Sequence, residues 1–165
     1  MKTGQPCESA RSHQGLLHTR EQFDFIADAP LDVAWPLFGA DAERAWAPEW
    51  EPIFIWPAAV TEQEGMVFKI AHADKTAIWV NTAFDRMASR IQYVYVIPDL
   101  VLTVITLNLS QVGAATHVAV TYERTALADA AGEAVRQMAG RDKAAGPEWA
   151  QQLNNHLGTR AKPPR

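Results

Sequence analysis

Ser89-Arg-Ile-Gln-Tyr-Val-Tyr-Val-Ile-Pro-Asp-Leu-Val-Leu-Thr-Val-Ile-Thr-Leu-Asn-Leu-Ser110 reads as two strands and the turn between them. Ile91, Tyr93, Tyr95 and Ile97 alternate with Gln92, Val94 and Val96. Beyond Pro98-Asp99, the residues Val101, Thr103, Ile105, Leu107 and Leu109 alternate with Leu102, Val104, Thr106, Asn108 and Ser110. A period of two belongs to a strand whose two faces meet different surroundings. The odd-numbered face is the stronger core set in both segments. A connection this short returns the chain antiparallel, as a hairpin.

The same pattern extends in both directions. Ile53–Thr61, Met66–His72, Thr76–Asp85, Ser89–Ile97, Leu100–Ser110 and Thr116–Thr125 all read as strands, separated by turn signals at Glu62–Gly65, Ala73–Lys75, Arg86–Ala88, Pro98–Asp99 and Val112–Ala115. Parallel pairing needs crossovers of about a dozen residues or more, and these linkers leave no room for them, so the reading is an antiparallel meander. Val118, Val120 and Tyr122 form the apolar set of its last strand. Both faces of Thr76–Asp85 are partly apolar, and the pattern assigns Trp79 and Asn81 to neither. Upstream, Leu17–Ala27 alternates through Phe23, Phe25 and Ala27 as a first strand. Leu31–Phe38 then reads as a short helix kinked or shortened by Pro36, and Asp41–Trp46 as another helical turn or two. Downstream, Leu127–Lys143 places Leu127, Ala131, Ala134, Val135 and Met138 at helical spacing. Gly146-Pro147 marks a break and restart, after which Trp149, Leu153 and Leu157 form one stripe at i, i+4 and i+8.

A chain of 165 residues is the size of one domain. Residues 1–17 read as a flexible polar arm, 18–157 as the folded domain and 158–165 as a flexible tail. With 48% apolar and 21% charged residues the composition is that of an ordinary globular protein, apart from six Trp. A net charge of −4 offers no electrostatic footprint for nucleic acid. No apolar run approaches the ~18 residues of a membrane span, and the N-terminal stretch lacks the apolar segment of a signal peptide. The cytoplasm is then the expected compartment. Cys7 is the single cysteine, so no intramolecular disulfide or cysteine-rich zinc module forms. His13, His18, His72, His117 and His156 show no metal-binding spacing, and no glycine-rich phosphate loop occurs. No cofactor is implied.

A one-sided sheet needs a cover, and only the early helices and the C-terminal helix are available to supply it. A curved antiparallel sheet of about seven strands around a long terminal helix is an α+β helix-grip arrangement. The sequence resembles the START-like (SRPBCC) superfamily, which includes the birch-pollen-allergen fold and the polyketide cyclases. The resemblance covers about residues 18–157. It rests on Phe23-Asp-Phe-Ile-Ala-Asp-Ala-Pro-Leu-Asp-Val-Ala-Trp-Pro-Leu-Phe38, on Glu43-Arg-Ala-Trp-Ala-Pro-Glu-Trp-Glu-Pro52, on Phe54-Ile-Trp-Pro57, Glu64-Gly-Met-Val-Phe68, Ile78-Trp-Val80 and Tyr93-Val-Tyr95, and on Glu148-Trp149. None of these is a catalytic motif. The resemblance implies a deep, largely apolar cavity between sheet and terminal helix.

Strand and helix phase together with that resemblance give a candidate lining: Trp46, Trp50, Phe54, Phe68, Tyr93, Tyr95, Ile105, Leu107, Trp149 and Leu153. The expected partner is a small hydrophobic or aromatic molecule. The same aromatics also serve as ordinary core, since a cavity wall is core on its other side, and most buried Tyr hydroxyls are satisfied within the protein. An enzyme of the cyclase or aromatase kind is the second reading. It needs a cavity Tyr or Glu to move a proton, and Glu49, Glu51, Asp85 and Glu123 are the carboxylates considered. A third reading is a homodimerising interaction module that uses the exposed sheet face or Trp79.

Overall fold

The computed structural model describes residues 15–160. The polar arm with Cys7 and His13 lies outside the described residues up to position 14, as do the last five residues. Seven strands, β1 (His18–Ala27), β2 (Ile53–Trp56), β3 (Val67–His72), β4 (Lys75–Asp85), β5 (Arg90–Ile97), β6 (Val101–Val112) and β7 (Ala115–Ala126), form one sheet in the order β1-β7-β6-β5-β4-β3-β2. Every pair is antiparallel, so β2 to β7 are the expected meander and β1 closes the far edge on β7. Between β1 and β2 lie α1 (Leu31–Ala34) and two 3-10 turns, Trp35–Phe38 and Ala42–Ala45. After β7 and a 3-10 turn at Asp129–Ala131 come α2 (Gly132–Ala144) and α3 (Gly146–Arg160). This is the helix-grip fold.

Several element boundaries move for local reasons. The strand read as Ile53–Thr61 ends at Trp56, because Pro57 has no N–H to give to a ladder. The helix read over Leu31–Phe38 is one α-helical turn followed by a 3-10 turn, with Pro36 at the second position of the latter. The helix read from Leu127 begins in a 3-10 turn and becomes α-helical at Gly132. Leu127 itself is exposed, whereas Ala131, Val135 and Met138 are buried. The chain breaks at Ala145 and restarts at Gly146-Pro147 as expected, so the terminal cover is two helices and not one long one. A Cβ on Gly146 would lie 3.2 Å from the Asp24 carbonyl oxygen, so glycine lets the start of α3 approach β1 closely. The last helix continues through Gly158 to Arg160, past the point where the tail was expected to begin.

Register decides which side chains meet. The pairs Phe68↔Trp79, Trp79↔Tyr95, Tyr95↔Thr103 and Thr103↔Arg124 form one row across the concave face, and Asn81↔Tyr93, Tyr93↔Ile105 and Ile105↔Tyr122 form the next. Ala77, Trp79, Asn81 and Ala83 are buried and Ile78 is exposed, so the undecided β4 strand turns its odd face inward. Trp79 is therefore core, which removes it from any surface interaction module. The stripe on α3 buries Leu153 and Leu157, with Trp149 half-buried beside Phe23 and Phe25.

One polar feature bridges sheet and cover. Arg124 on β7 is 6% exposed and makes a two-pronged pair with Asp142 on α2, at 2.5 and 2.8 Å. The remaining guanidinium nitrogen donates to the Thr103 hydroxyl at 2.9 Å and to the Tyr95 hydroxyl. The Tyr122 ring lies 4.9 Å from the guanidinium carbon. No helix of the described residues is long and apolar enough to cross a membrane.

Candidate functional site

The segment Trp46-Ala-Pro-Glu-Trp50 spans one end of the sheet. Two indole N–H groups anchor it: Trp46 donates to the Leu37 carbonyl at 2.7 Å and Trp50 to the Ala40 carbonyl at 2.6 Å. Both acceptors lie at or just after the Trp35–Phe38 turn, where short 3-10 geometry leaves carbonyls free. Glu49, between the two indoles, holds a φ of 61°, a left-handed backbone unusual for a side-chain-bearing residue. The segment faces Trp79 from the sheet and Trp149 from α3. The four indoles make two edge-to-face pairs, Trp46 with Trp149 at 5.6 Å and Trp50 with Trp79 at 5.3 Å.

These walls enclose a cavity of about 380 Å³, within the range of small-molecule sites. Tyr93, Ile105, Leu107 and Tyr122 form its sheet side, and Glu43, Glu49, Glu148 and Gln152 add the polar groups. Of the ten residues expected at the lining, Trp46, Trp50, Tyr93, Ile105, Leu107 and Trp149 meet there. The other four stand one layer back. Phe68 is fully buried behind Trp50, Trp79 and Tyr93, with Phe54 on its far side. Tyr95 stacks on Trp79 at 4.2 Å and accepts from Arg124. Leu153 is fully buried in the packing of the terminal helix. Two of the six Trp stand elsewhere: Trp35 packs on Phe84 at 5.4 Å, and Trp56 is exposed.

The most unusual wall residue is Glu43, from the Ala42–Ala45 turn. It is 7% exposed, and among the described residues no hydrogen-bond donor or cationic group pairs with its carboxyl. Burial pushes its pKa well above the ordinary 4.5, and the charge of Glu62 pushes it further in the same direction. Glu62 is itself held up by burial, although the Asp41 N–H donates to its Oε1 at 2.8 Å. Its carboxyl lies against Gly39: a Cβ there would stand 2.6 Å from the Glu62 carboxyl carbon and push that side chain aside. Tyr93 donates to the Phe38 carbonyl at 3.1 Å, and burial raises its pKa well above 10, with Glu43 and Glu62 adding to the rise. It is a phenol, not a phenolate. The Trp79 indole N–H and the fully buried Asn81 amide have no hydrogen-bond partner among the described residues.

Glu43 was not among the carboxylates the sequence singled out, and their positions show why the choice went astray. Glu51 is exposed and 4.0 Å from Arg44. Asp85 accepts from the Ala88 N–H in a turn, and Glu123 pairs with Arg20 at 3.8 Å on the outer face. Glu49 reaches the cavity, from an exposed position. The available signal was the three-residue spacing of Glu43 and Trp46, which puts both on one side of a helical turn. His117 pairs with Asp24 at 2.8 Å on the surface. The described residues contain no group of three or more His, Cys, Asp or Glu able to hold a metal ion.

A buried neutral carboxyl has a consequence for stability. Because the folded value is raised, Glu43 contributes fully below its unfolded value and less as pH climbs through the folded one. Stability is therefore expected to fall as pH rises above about 4.5, and Glu43→Gln is expected to flatten that fall. Urea midpoints measured from pH 4 to 9 test this; parallel profiles for the two proteins would mean that the carboxyl is solvated.

No protein-family model matches the sequence, and no curated protein does. Solved structures do match. Norcoclaurine synthase from Thalictrum flavum aligns with a TM-score of 0.63 at 12% identity, over 97% of this chain and 100% of that one. Ara h 8.0201 gives 0.60 at 10% identity, over 86% and 99%. CalU16 from Micromonospora echinospora gives 0.58 at 16% identity, over 92% and 88%. At such identities the likeness is one of fold, and that fold is the helix grip.

Proposed function

We propose that this chain binds a small aromatic molecule in the cavity between its sheet and α3. The observation that carries the reading is the wall itself. Trp46, Trp50, Trp79 and Trp149 surround a space of about 380 Å³ that is large enough for a compact ring system. Edge-to-face and stacked contacts with such walls contribute beyond simple area burial.

2-Naphthol, a neutral aromatic probe, is expected to quench the cavity indoles saturably. Trp149→Ala is expected to weaken its binding tenfold or more, the loss usual for a central aromatic anchor. Unchanged affinity in both Trp149→Ala and Trp50→Ala would remove the cavity assignment. Native mass spectrometry of freshly purified protein tests for a co-purifying small molecule.

Glu43 favours a second reading, an enzyme of the cyclase or aromatase kind. A carboxylic acid kept neutral against an apolar space can deliver a proton to a bound carbonyl, and Tyr93 stands on the same wall as a phenol. Rate–pH profiles of any turnover found should then follow one raised carboxylate value, and Glu43→Gln should abolish that limb.

A further inference from the structure

Among the described residues the cavity lining contains three carboxyl side chains, Glu43, Glu49 and Glu148, and no Lys, Arg or His. Glu43 stands at depth, buried and without a donor or counter-ion, while Glu49 and Glu148 are exposed at the mouth. Glu148 is steadied by Gln152, whose amide donates to it at 2.9 Å. Around them stand the rings of Trp46, Trp50, Trp149 and Tyr122, with Trp79 held between Phe68 and Tyr95. The carboxyls therefore meet no cationic side chain in the lining.

We propose that the molecule this cavity takes is an organic cation, a protonated amine carried on an aromatic body, with Glu43 as its buried counter-ion and the aromatic rings as its walls. The proposal rests on the aromatic-binding reading above and names its ligand class. An ammonium group at a desolvated aromatic wall is attracted by the ring quadrupole. It also supplies the donor that the Glu43 carboxyl lacks. A carboxylate ligand would instead have to pass the acids at the mouth, and it brings no donor to Glu43. Exposed acids at the mouth also favour approach of a cation over that of an anion.

The occupied state has a proton consequence. Glu43 is faced by Glu62 from the loop before β3, by Tyr93 of β5 and by Tyr122 of β7. None of these is cationic, and both tyrosines stay neutral because burial raises them. An arriving ammonium then brings beside Glu43 a positive charge that none of these three groups supplies. It draws the carboxyl back toward ionisation, so the proton leaves as the ligand binds. Ammonium affinity therefore rises with pH through the raised Glu43 value.

Three probes with one ring system test this: 2-naphthylmethylamine, 2-naphthalenemethanol and 2-naphthoate, titrated calorimetrically at pH 7 in two buffers of different ionisation enthalpy. The ammonium is expected to bind at least tenfold more tightly than the alcohol, with the carboxylate weakest. The buffer difference is expected to report proton release for the ammonium alone. Glu43→Gln should collapse the ammonium-to-alcohol preference and end the proton release. In a Glu49→Gln/Glu148→Gln variant, which keeps Glu43, proton release should persist. Equal binding of ammonium and alcohol to the unaltered protein would overturn the cation assignment and leave the aromatic cavity standing. Binding of none of the three would overturn both.

Discussion

Asp142→Ala is expected to cost about 3–5 kcal/mol of stability, the usual effect of removing one partner from a buried ion pair. The pair holds Arg124 with both prongs, and among the described residues its other acceptors are the Tyr95 and Thr103 hydroxyls and the Met138 sulfur, none of them a carboxylate. Removing the carboxylate leaves a guanidinium, which cannot lose its proton, buried without a counter-charge. For a domain of this size such a loss lowers Tm by roughly 10 °C or more. Amide exchange should quicken first in α2, which the pair fastens to β7. The double variant Arg124→Met/Asp142→Leu separates charge from shape. It is expected to recover most of the loss, because a buried ion pair replaced by apolar residues of similar volume is often neutral or better. A loss under ~1 kcal/mol for Asp142→Ala in urea unfolding would mean that water reaches the guanidinium, contrary to its burial.

How that pair escaped the sequence reading says what alternation can and cannot deliver. Period two fixed the odd faces of β5 and β6, and it named Val118, Val120 and Tyr122 on β7. Arg124 is the next residue in the same phase. Asp142 likewise falls at i+7 from Val135, in line with Met138 on the buried side of α2. Both were in phase with the core, and their charge argued against reading them there, because an unpaired charge is not buried. The resolution lies in pairing across 18 residues, which a local pattern does not express. β4 is the opposite case. Its two faces are alike in composition, so phase alone could not choose. The choice comes from the register that sets Trp79 between Phe68 and Tyr95. Glu43 was hidden for a third reason. It lies in a short polar segment whose burial depends on Glu62 and Tyr93, brought over it by the fold and absent from its neighbourhood in the chain.

Phe68→Ala is expected to be the most damaging single truncation beneath the cavity, at about 3–5 kcal/mol. Phe68 is fully buried, with Trp50, Trp79 and Tyr93 around it at 6.1, 5.6 and 6.0 Å between ring centroids. Those three form part of the cavity wall, and Phe68 fills the space behind them. Neither β3 nor its neighbours can close the gap freely, because Phe68 pairs with Trp79 in the middle of two hydrogen-bonded ladders. The void left behind would be apolar and dry, the kind that admits benzene. Two consequences then separate support from mere core loss. Benzene should raise the Tm of Phe68→Ala and leave that of the unaltered protein nearly unchanged. Probe affinity in the variant should fall even where it is fully folded, since Trp79 loses the stacked ring that fixes its plane. Phe68→Leu keeps most of the volume but no ring, so it should retain most of the stability and still lose affinity. If Phe68→Leu binds 2-naphthol as tightly as the unaltered protein, the wall holds its shape through Tyr95 and Trp50 alone, and the second layer is only filler.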